Sequence, residues 1–120
     1  MNQLTEQVIG AAIEVHRVLG PGYLESTYAK ALAIELRHRG IQFEKESLVS
    51  LSYRGESVGE GRLDFLVEGK LILELKAVDH LHPIHTAQAI SYLKATSHKI
   101  ALLINFNVPV LKDGIKRIAH

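Results

Sequence analysis

Two carboxylates and an ammonium group stand close together in one stretch of the chain, from Gly61 to Ala77. They belong to Asp64, Glu74 and Lys76, which interrupt a pattern of apolar odd-numbered positions. Because side chains alternate between the two faces of a strand, a hairpin here would place the three charged groups together on the face opposite the core. The apolar positions of this pattern are Leu63, Phe65, Val67, Leu71, Leu73, Leu75 and Ala77.

Such a face has the groups needed for hydrolysis assisted by a hard divalent cation. Mg²⁺ takes oxygen ligands and usually keeps several waters, so Asp64 and Glu74 can supply two ligands, with the Leu75 carbonyl as a third. Lys76 can orient or deprotonate an attacking water, or stabilise developing negative charge, while a metal lowers the pKa of the bound water. The alternative is a solvated hairpin face that carries ordinary surface charges.

A further carboxylate, Glu25, lies in the segment that opens the predicted second helix. Glu25, Tyr28 and Leu32 are spaced i, i+3, i+7, so they share one helix face. The functional interpretation is a carboxylate aimed at the metal site, directly or through water. The alternative is a first-turn glutamate that stays in solvent and interacts favourably with the helix dipole.

Two other groups of residues are candidates for binding. Gln88 and Tyr92 are four residues apart on a predicted helix, where an amide and a phenol can contact phosphate, or can simply lie at the edge of the core. Three histidines, His80, His82 and His85, surround Pro83 and are candidate Zn²⁺ or Ni²⁺ ligands. Histidines also serve as helix caps and surface groups, which is the alternative for this cluster.

Helical periodicity and capping signals predict the elements that flank the hairpin. A first helix is expected at about 6–19 with Thr5 as its N-cap, and a second at about 23–38. A third is expected at about 84–97, with Pro83 in its first turn.

Strand patterns fill the remaining segments. One strand is expected at about 43–53, with Phe43, Val49, Leu51 and Tyr53 on one face, and the hairpin at about 57–77, turning near Glu68-Gly69. A buried strand is expected at about 99–105, and 110–118 adds an edge strand or a short hairpin. The order α-α-β-β-β-α-β predicts an α/β or α+β fold with helices packed on a single sheet.

Composition bounds the class of protein. A chain of 120 residues with 47% hydrophobic residues is expected to form one domain, residues 1–120, with a substantial core. The absence of cysteine excludes disulfides and thiolate metal sites, and a net charge of +1 gives no general basic surface. We find no signal sequence and no apolar run long enough to span a membrane, so we expect a soluble cytoplasmic protein.

The motifs together resemble a known family. Gly22, Glu25 and Tyr28 match the motif of the bacterial and archaeal GxxExxY proteins, a group within the PD-(D/E)xK nuclease superfamily. The likeness covers nearly the whole chain, although Leu63 stands where the superfamily motif usually has proline before its first acid. The other matching motifs are G-x-x-D at 61–64, E-x-K at 74–76 and Q-x-x-x-Y at 88–92, the last shared with RecB-like nucleases.

The resemblance implies a restriction-endonuclease-like α/β core with a mixed central sheet flanked by helices. It implies a nuclease that uses Mg²⁺ or Mn²⁺ on nucleic acid, with DNA preferred over RNA. The implied site residues are Asp64 and Glu74 as metal ligands, Lys76 as catalytic lysine, Glu25 as a carboxylate near the metal, and Tyr28, Gln88 and Tyr92 as accessory residues.

Two other functions remain as alternatives at this point. One is a non-catalytic module that binds nucleic acid or protein on a nuclease-like fold. The other is a metal-binding protein that uses His80, His82 and His85. Because one small domain offers little surface for recognition, a homodimer would supply the additional area.

Overall fold

A computed structural model describes residues 1–120 and contains three α-helices around one five-stranded sheet. The predicted α/β class and element order are confirmed, and the structure agrees with a restriction-endonuclease-like fold. A final strand forms the second edge of the sheet. The elements are α1 (Asn2–Leu19), α2 (Glu25–His38), β1 (Phe43–Tyr53), β2 (Glu56–Val67), β3 (Leu71–Lys76), α3 (Pro83–Thr96), β4 (Ile100–Asn105), a 3₁₀ helix (Leu111–Gly114) and β5 (Ile115–Ala119).

The sheet is mixed, with strands in the order β1-β2-β3-β4-β5. The first three strands form an antiparallel meander, and β5 pairs antiparallel with β4. β3 and β4 run parallel, from Leu71↔Ile100 to Lys76↔Asn105, so the chain needs a crossover between them. Helix α3 forms that crossover, and the chain enters it from the end of β3.

Two apolar clusters hold the helices on the sheet. The α1/α2 cluster has 18 buried residues, among them Val8 and Leu32 from the helices and Phe65 and Leu73 from the sheet. The α3 cluster has eight buried residues, including Ile72 from β3 and Leu93 from α3. The helices therefore cover both faces of the central strands, whose side chains are apolar on both sides.

Helix α1 begins earlier than the sequence pattern predicts. It starts at Asn2, and Thr5 lies inside it as a buried residue whose hydroxyl donates to the Met1 carbonyl at 3.1 Å. The prediction of Thr5 as the N-cap is therefore wrong. The cause is that a threonine hydroxyl can bond to the carbonyl four residues back, which is compatible with a helix interior.

The alternation of side chains along β1 and β2 changes at Glu46 and Asp64. Glu46 has a left-handed φ of 58°, and the paired residues on either side are Lys45↔Phe65 and Ser47↔Leu63. Phe65 belongs to the α1/α2 cluster, whereas Leu63 belongs to the α3 cluster. The prediction that all odd positions of the hairpin share one face is therefore wrong at Leu63, because the ribbon reverses its faces between the two pairs.

The same reversal corrects the predicted face of β1. Phe43 packs against the α1/α2 cluster, while Val49 and Leu51 pack in the α3 cluster. Tyr53, near the end of the ribbon, is 66% exposed. The bounds of β1 are nevertheless as predicted, and the turn at Glu68-Gly69 is confirmed by positive φ at both residues.

None of the helices combines the length and the hydropathy that crossing a membrane requires.

Candidate active site

The site forms where β2 separates from β3. The last paired residues before the separation are Phe65 and Leu73, and Asp64 is the next residue of β2. Instead of a backbone pair, the Asp64 Oδ2 accepts a hydrogen bond of 2.7 Å from the Leu75 N–H. The Asp64 carboxylate therefore fills the gap between the two strands, and its position is fixed by the backbone of β3.

Glu74 is the most unusual residue in this gap. It is only 5% exposed, and its Oε1 is buried without a hydrogen-bond partner. Burial, and secondarily the negative charge of Asp64, raise the pKa of Glu74 to about 8, although Lys76 acts in the opposite direction. A buried acceptor without a partner is energetically costly, and a cation between the Glu74 and Asp64 carboxylates would remove that cost.

The backbone of β3 offers a third candidate oxygen ligand, the Leu75 carbonyl. The Lys76 carbonyl accepts a hydrogen bond of 2.9 Å from the N–H of Phe106, on the β4 side of the strand. Since the backbone groups of successive strand residues point to opposite sides, those of Leu75 point toward β2. The Leu75 N–H does so, because it bonds to Asp64. The Leu75 carbonyl is therefore expected to face the same gap, and its role as a ligand stays a prediction.

Glu25 approaches the same gap from α2. It is the first residue of the helix, following Leu24 in extended conformation. Partial desolvation raises the pKa of Glu25, the Asp64 charge raises it further, and Lys76 lowers it. Glu25 and Asp64 line the same cleft. The α2 helix thus places a third carboxylate at the edge of the site.

Glu25, Asp64 and Leu75 line a cleft of about 230 Å³ between α2, β1 and the end of β3. The cleft is polar: Glu25 and Asp64 face two lysines, Lys30 and Lys45, neither of which forms an ion pair. The remaining lining residues are Ser26, Ala29, Glu46 and Leu75. The lining therefore offers carboxylates that can bind a cation and ammonium groups that can bind an anion.

Tyr28 has a supporting position. Its buried hydroxyl donates to the Gly20 carbonyl at 2.6 Å and accepts a hydrogen bond of 3.2 Å from the Tyr23 N–H. Its ring stacks on Phe106, with centroids 4.6 Å apart. Tyr28 therefore ties the loop between α1 and α2 to the core and fixes where Glu25 begins the helix. Its hydroxyl is engaged with that loop and is not a lining group of the cleft.

Gln88 and Tyr92 lie on α3, and the Tyr92 ring contacts the hairpin. The Gln88 side-chain amide donates to the Tyr92 hydroxyl at 3.4 Å, which confirms that the two share a helix face. The Tyr92 ring lies over Gly61, where an added Cβ would be 2.5 Å from Tyr92 Cε1. The Q-x-x-x-Y motif therefore meets the G-x-x-D motif directly, three residues from Asp64. Gly61 provides the close backbone approach that this contact requires.

Replacing Gly61 by alanine is expected to displace Tyr92 and destabilise the protein by about 1–3 kcal/mol, because the new methyl group overlaps a rigid ring. Urea unfolding monitored by circular dichroism measures the loss. In a Tyr92→Ala background the same Gly61→Ala change should cost much less. An equal cost in both backgrounds would show that the ring contact is not the cause.

The histidine cluster does not form a metal site. The Nδ1 of His85 accepts a hydrogen bond of 3.1 Å from the His82 N–H, so His85 caps the start of α3. No group of three or more His, Asp or Glu side chains is arranged to hold a metal, either at His80 or elsewhere in the chain. The alternative role of His85 as a helix cap is therefore supported. A cation in the gap between β2 and β3 would have the carboxylates of Asp64 and Glu74 and the Leu75 carbonyl as its ligands.

Sequence reasoning did not identify several residues that shape the site. Lys30 and Lys45 belong to no motif, and only the folded chain brings them to the cleft. Asn105 is 2% exposed; its Oδ1 accepts from the N–H groups of Val78 and Asn107, and its Nδ2 donates to the Val78 carbonyl at 2.9 Å. It thereby holds the segment that follows Lys76. In the sequence, the signal for Asn105 is that it is a polar residue at the end of an apolar strand.

Comparison with known proteins gives one positive result. The family model of the PD-(D/E)XK nuclease superfamily matches residues 2–118. This range includes every candidate site residue described above. A search of curated proteins finds no match. A search of solved structures likewise finds none.

Proposed function

Because the chain belongs to the PD-(D/E)XK nuclease superfamily, we propose that it is a divalent-metal-dependent nuclease whose preferred substrate is DNA. Nucleases of this superfamily are generally dependent on divalent metals. The observation that carries the proposal for this chain is the buried, unpartnered Glu74 oxygen beside Asp64. In this proposal residues 1–120 act as one nuclease domain, and the GxxExxY grouping is its narrower family.

The proposed cation is Mg²⁺ or Mn²⁺, held by Asp64, Glu74 and the Leu75 carbonyl. When bound, it would lower the pKa of a coordinated water and stabilise negative charge on the scissile phosphate. The donor set fits such an ion, because all three atoms are oxygens and hard cations prefer oxygen ligands. Two carboxylates also leave positions open for water and phosphate.

Other residues of the chain would act directly on the reacting groups. The Lys76 ammonium, at the end of β3, would orient the attacking water or stabilise charge on the phosphate in the transition state. Glu25, with its raised pKa, would accept a proton from that water or hold it by a hydrogen bond. Bulk solvent would have little access to the part of the gap around Glu74, which is only 5% exposed.

The two walls of the site would position the nucleic-acid strand. On the α3 side, Gln88 is exposed and Tyr92 is half-buried, so both can reach a sugar or phosphate group. On the α2 side, the ammonium groups of Lys30 and Lys45 are suited to phosphates that flank the cleaved one. Phosphate contacts of this kind fix the position of a strand without reading its sequence.

The test is a cleavage assay with purified protein on single- and double-stranded DNA and RNA, with Mg²⁺, with Mn²⁺ and with EDTA. We expect cleavage that requires the metal, is stronger on DNA, and is lost in the Asp64→Ala and Lys76→Ala variants. Turnover that persists in both variants would refute these assignments. Nucleic-acid binding without turnover under any metal would favour a non-catalytic binding module.

A further inference from the structure

One edge of the sheet is open over an unusually uncharged strand. β1 has a neighbour on one side only, and its residues 47–53 carry no charge and no proline. Leu48 and Tyr53 in this stretch are 64% and 66% exposed. Exposed strand edges readily pair with another chain, and natural proteins usually protect them with charges or proline. This edge lacks that protection over seven residues.

The opposite edge of the sheet shows the protected condition. β5 has five residues, and it exposes the charged side chains of Lys116 and Arg117. Short length and charge are the usual means of preventing edge pairing. The contrast between the two edges within one sheet indicates that β1, and not β5, is available for a partner strand.

β1 also has the regular geometry that strand addition needs. Apart from the reversal at Glu46, which precedes this stretch, the irregularity in the β1–β2 ribbon lies between Leu51↔Gly59 and Ser52↔Ser57. These pairs advance one residue on β1 and two on β2, so the extra residue, Val58, is in β2. The stretch from 47 to 53 is therefore uninterrupted, and its outer backbone groups can pair with an extended strand.

We propose that the partner is a second copy of this chain, whose β1 pairs antiparallel with the first across a two-fold axis at Ser50. If the two sheets form one continuous sheet, the two-fold axis is perpendicular to it, and the residue at the axis lies opposite the same residue of the other copy. Each face of one sheet then continues into the same face of the other. Ser50 is the midpoint of the uncharged stretch. In this register Val49 lies opposite Leu51 of the other copy, so the apolar face that packs on α3 continues through the interface.

Charge complementarity supports the same register. With Ser50 at the axis, Glu46 of one copy and Arg54 of the other flank the same end of the paired stretch, so opposite charges come together there. Within its own chain Glu46 lies 3.8 Å from Arg62, and Arg54 would add a second cation beside it. Glu46 also lines the cleft. The turn of one copy, with Tyr53 and Arg54, would thus reach the rim of the cleft of the other. There Arg54 would add a cation for a nucleic-acid phosphate, and this role of Arg54 rests on the proposed function. The dimer itself does not rest on it.

The oligomeric state is the first test, measured by size-exclusion chromatography with light scattering. We expect a dimer of the 13.3 kDa chain, and we expect a monomer for Ser50→Lys, which places two ammonium groups together at the axis. Ser50 is exposed, so the monomer should remain folded. The matched control is Ser57→Lys on β2, which should stay dimeric. A monomeric wild-type protein, or a Ser50→Lys variant that remains dimeric, would refute the proposal.

Cross-linking tests the register. The chain has no cysteine, so Ser50→Cys introduces a single thiol that should form an intermolecular disulfide rapidly on oxidation. Ser57→Cys is the matched control and should cross-link slowly. Equal rates for the two variants, or no disulfide in Ser50→Cys, would contradict pairing at Ser50.

A charge exchange tests the ends of the interface and separates it from catalysis. Glu46→Arg and Arg54→Glu should each weaken the dimer several-fold, and the double variant should restore it. Unrestored dimerisation in the double variant would contradict the Glu46–Arg54 register. Failure of the nuclease proposal would leave these results unchanged, whereas failure of the dimer would leave metal-dependent cleavage by the monomer intact.

Discussion

Replacing Asp64 by asparagine is expected to abolish metal-dependent cleavage while the protein stays folded. Asparagine keeps a side-chain oxygen that can accept the hydrogen bond from the Leu75 N–H, which is 2.7 Å in the native site. It removes the charge that would bind the cation next to Glu74. We expect the initial rate with Mg²⁺ or Mn²⁺ to fall by about 10²–10³-fold, which is the usual contribution of a single charge-stabilising group in such sites.

Two comparisons make this result specific. Asp113→Asn changes an exposed aspartate of the 3₁₀ helix in the same way and should leave cleavage unchanged. Lys76→Ala should also lose cleavage, but isothermal titration should still detect cation binding, whereas Asp64→Asn should lose both. Strong cleavage by Asp64→Asn would show that this carboxylate is not a metal ligand.

Much of the fold follows from local sequence patterns. The pattern of apolar positions and the flanking Gly and Pro residues predicted β1 at 43–53, and predicted β2, β3, β4 and the helices within a few residues. The edge strand expected at 110–118 begins only at Ile115, because a 3₁₀ helix occupies Leu111–Gly114. These signals are local, because the spacing of apolar side chains in a helix or strand is set by residues close together in the chain. The faces of β1 and β2 could not be predicted in the same way. They reverse at Glu46, whose backbone is left-handed, and glutamate is not a residue type that predicts this conformation.

The sequence grouped the charged residues of the candidate site for a physical reason that differs from the one in the structure. Alternation along a flat hairpin grouped Asp64, Glu74 and Lys76. In the structure the grouping arises because β2 leaves β3 at Asp64, whose carboxylate then bonds to the freed Leu75 N–H. Lys45 comes to the cleft only through the tertiary fold, so no spacing in the chain could have identified it.

The raised pKa of Glu74 leads to a prediction about stability without any metal. The folded-state pKa is about 8 against an ordinary value of 4.5, so folding favours the protonated form. The stabilising contribution is therefore complete below about pH 4.5 and is lost as the pH rises through about 8. At about 1.4 kcal/mol per pKa unit, the loss is a few kcal/mol. Urea unfolding in EDTA from pH 5 to pH 9 should reveal it.

Glu74→Gln should remove this pH dependence, because glutamine stays neutral at every pH in the series. Glu6→Gln, on the exposed face of α1, should keep the wild-type profile. Parallel profiles for wild type and Glu74→Gln would show that Glu74 does not titrate in this range. Because a cation needs the ionised carboxylate, Mg²⁺ should restore wild-type stability at pH 8 and leave Glu74→Gln unaffected. Below pH 8 cation binding should release a proton, which titration calorimetry in buffers of different ionisation enthalpy measures directly, independently of any cleavage.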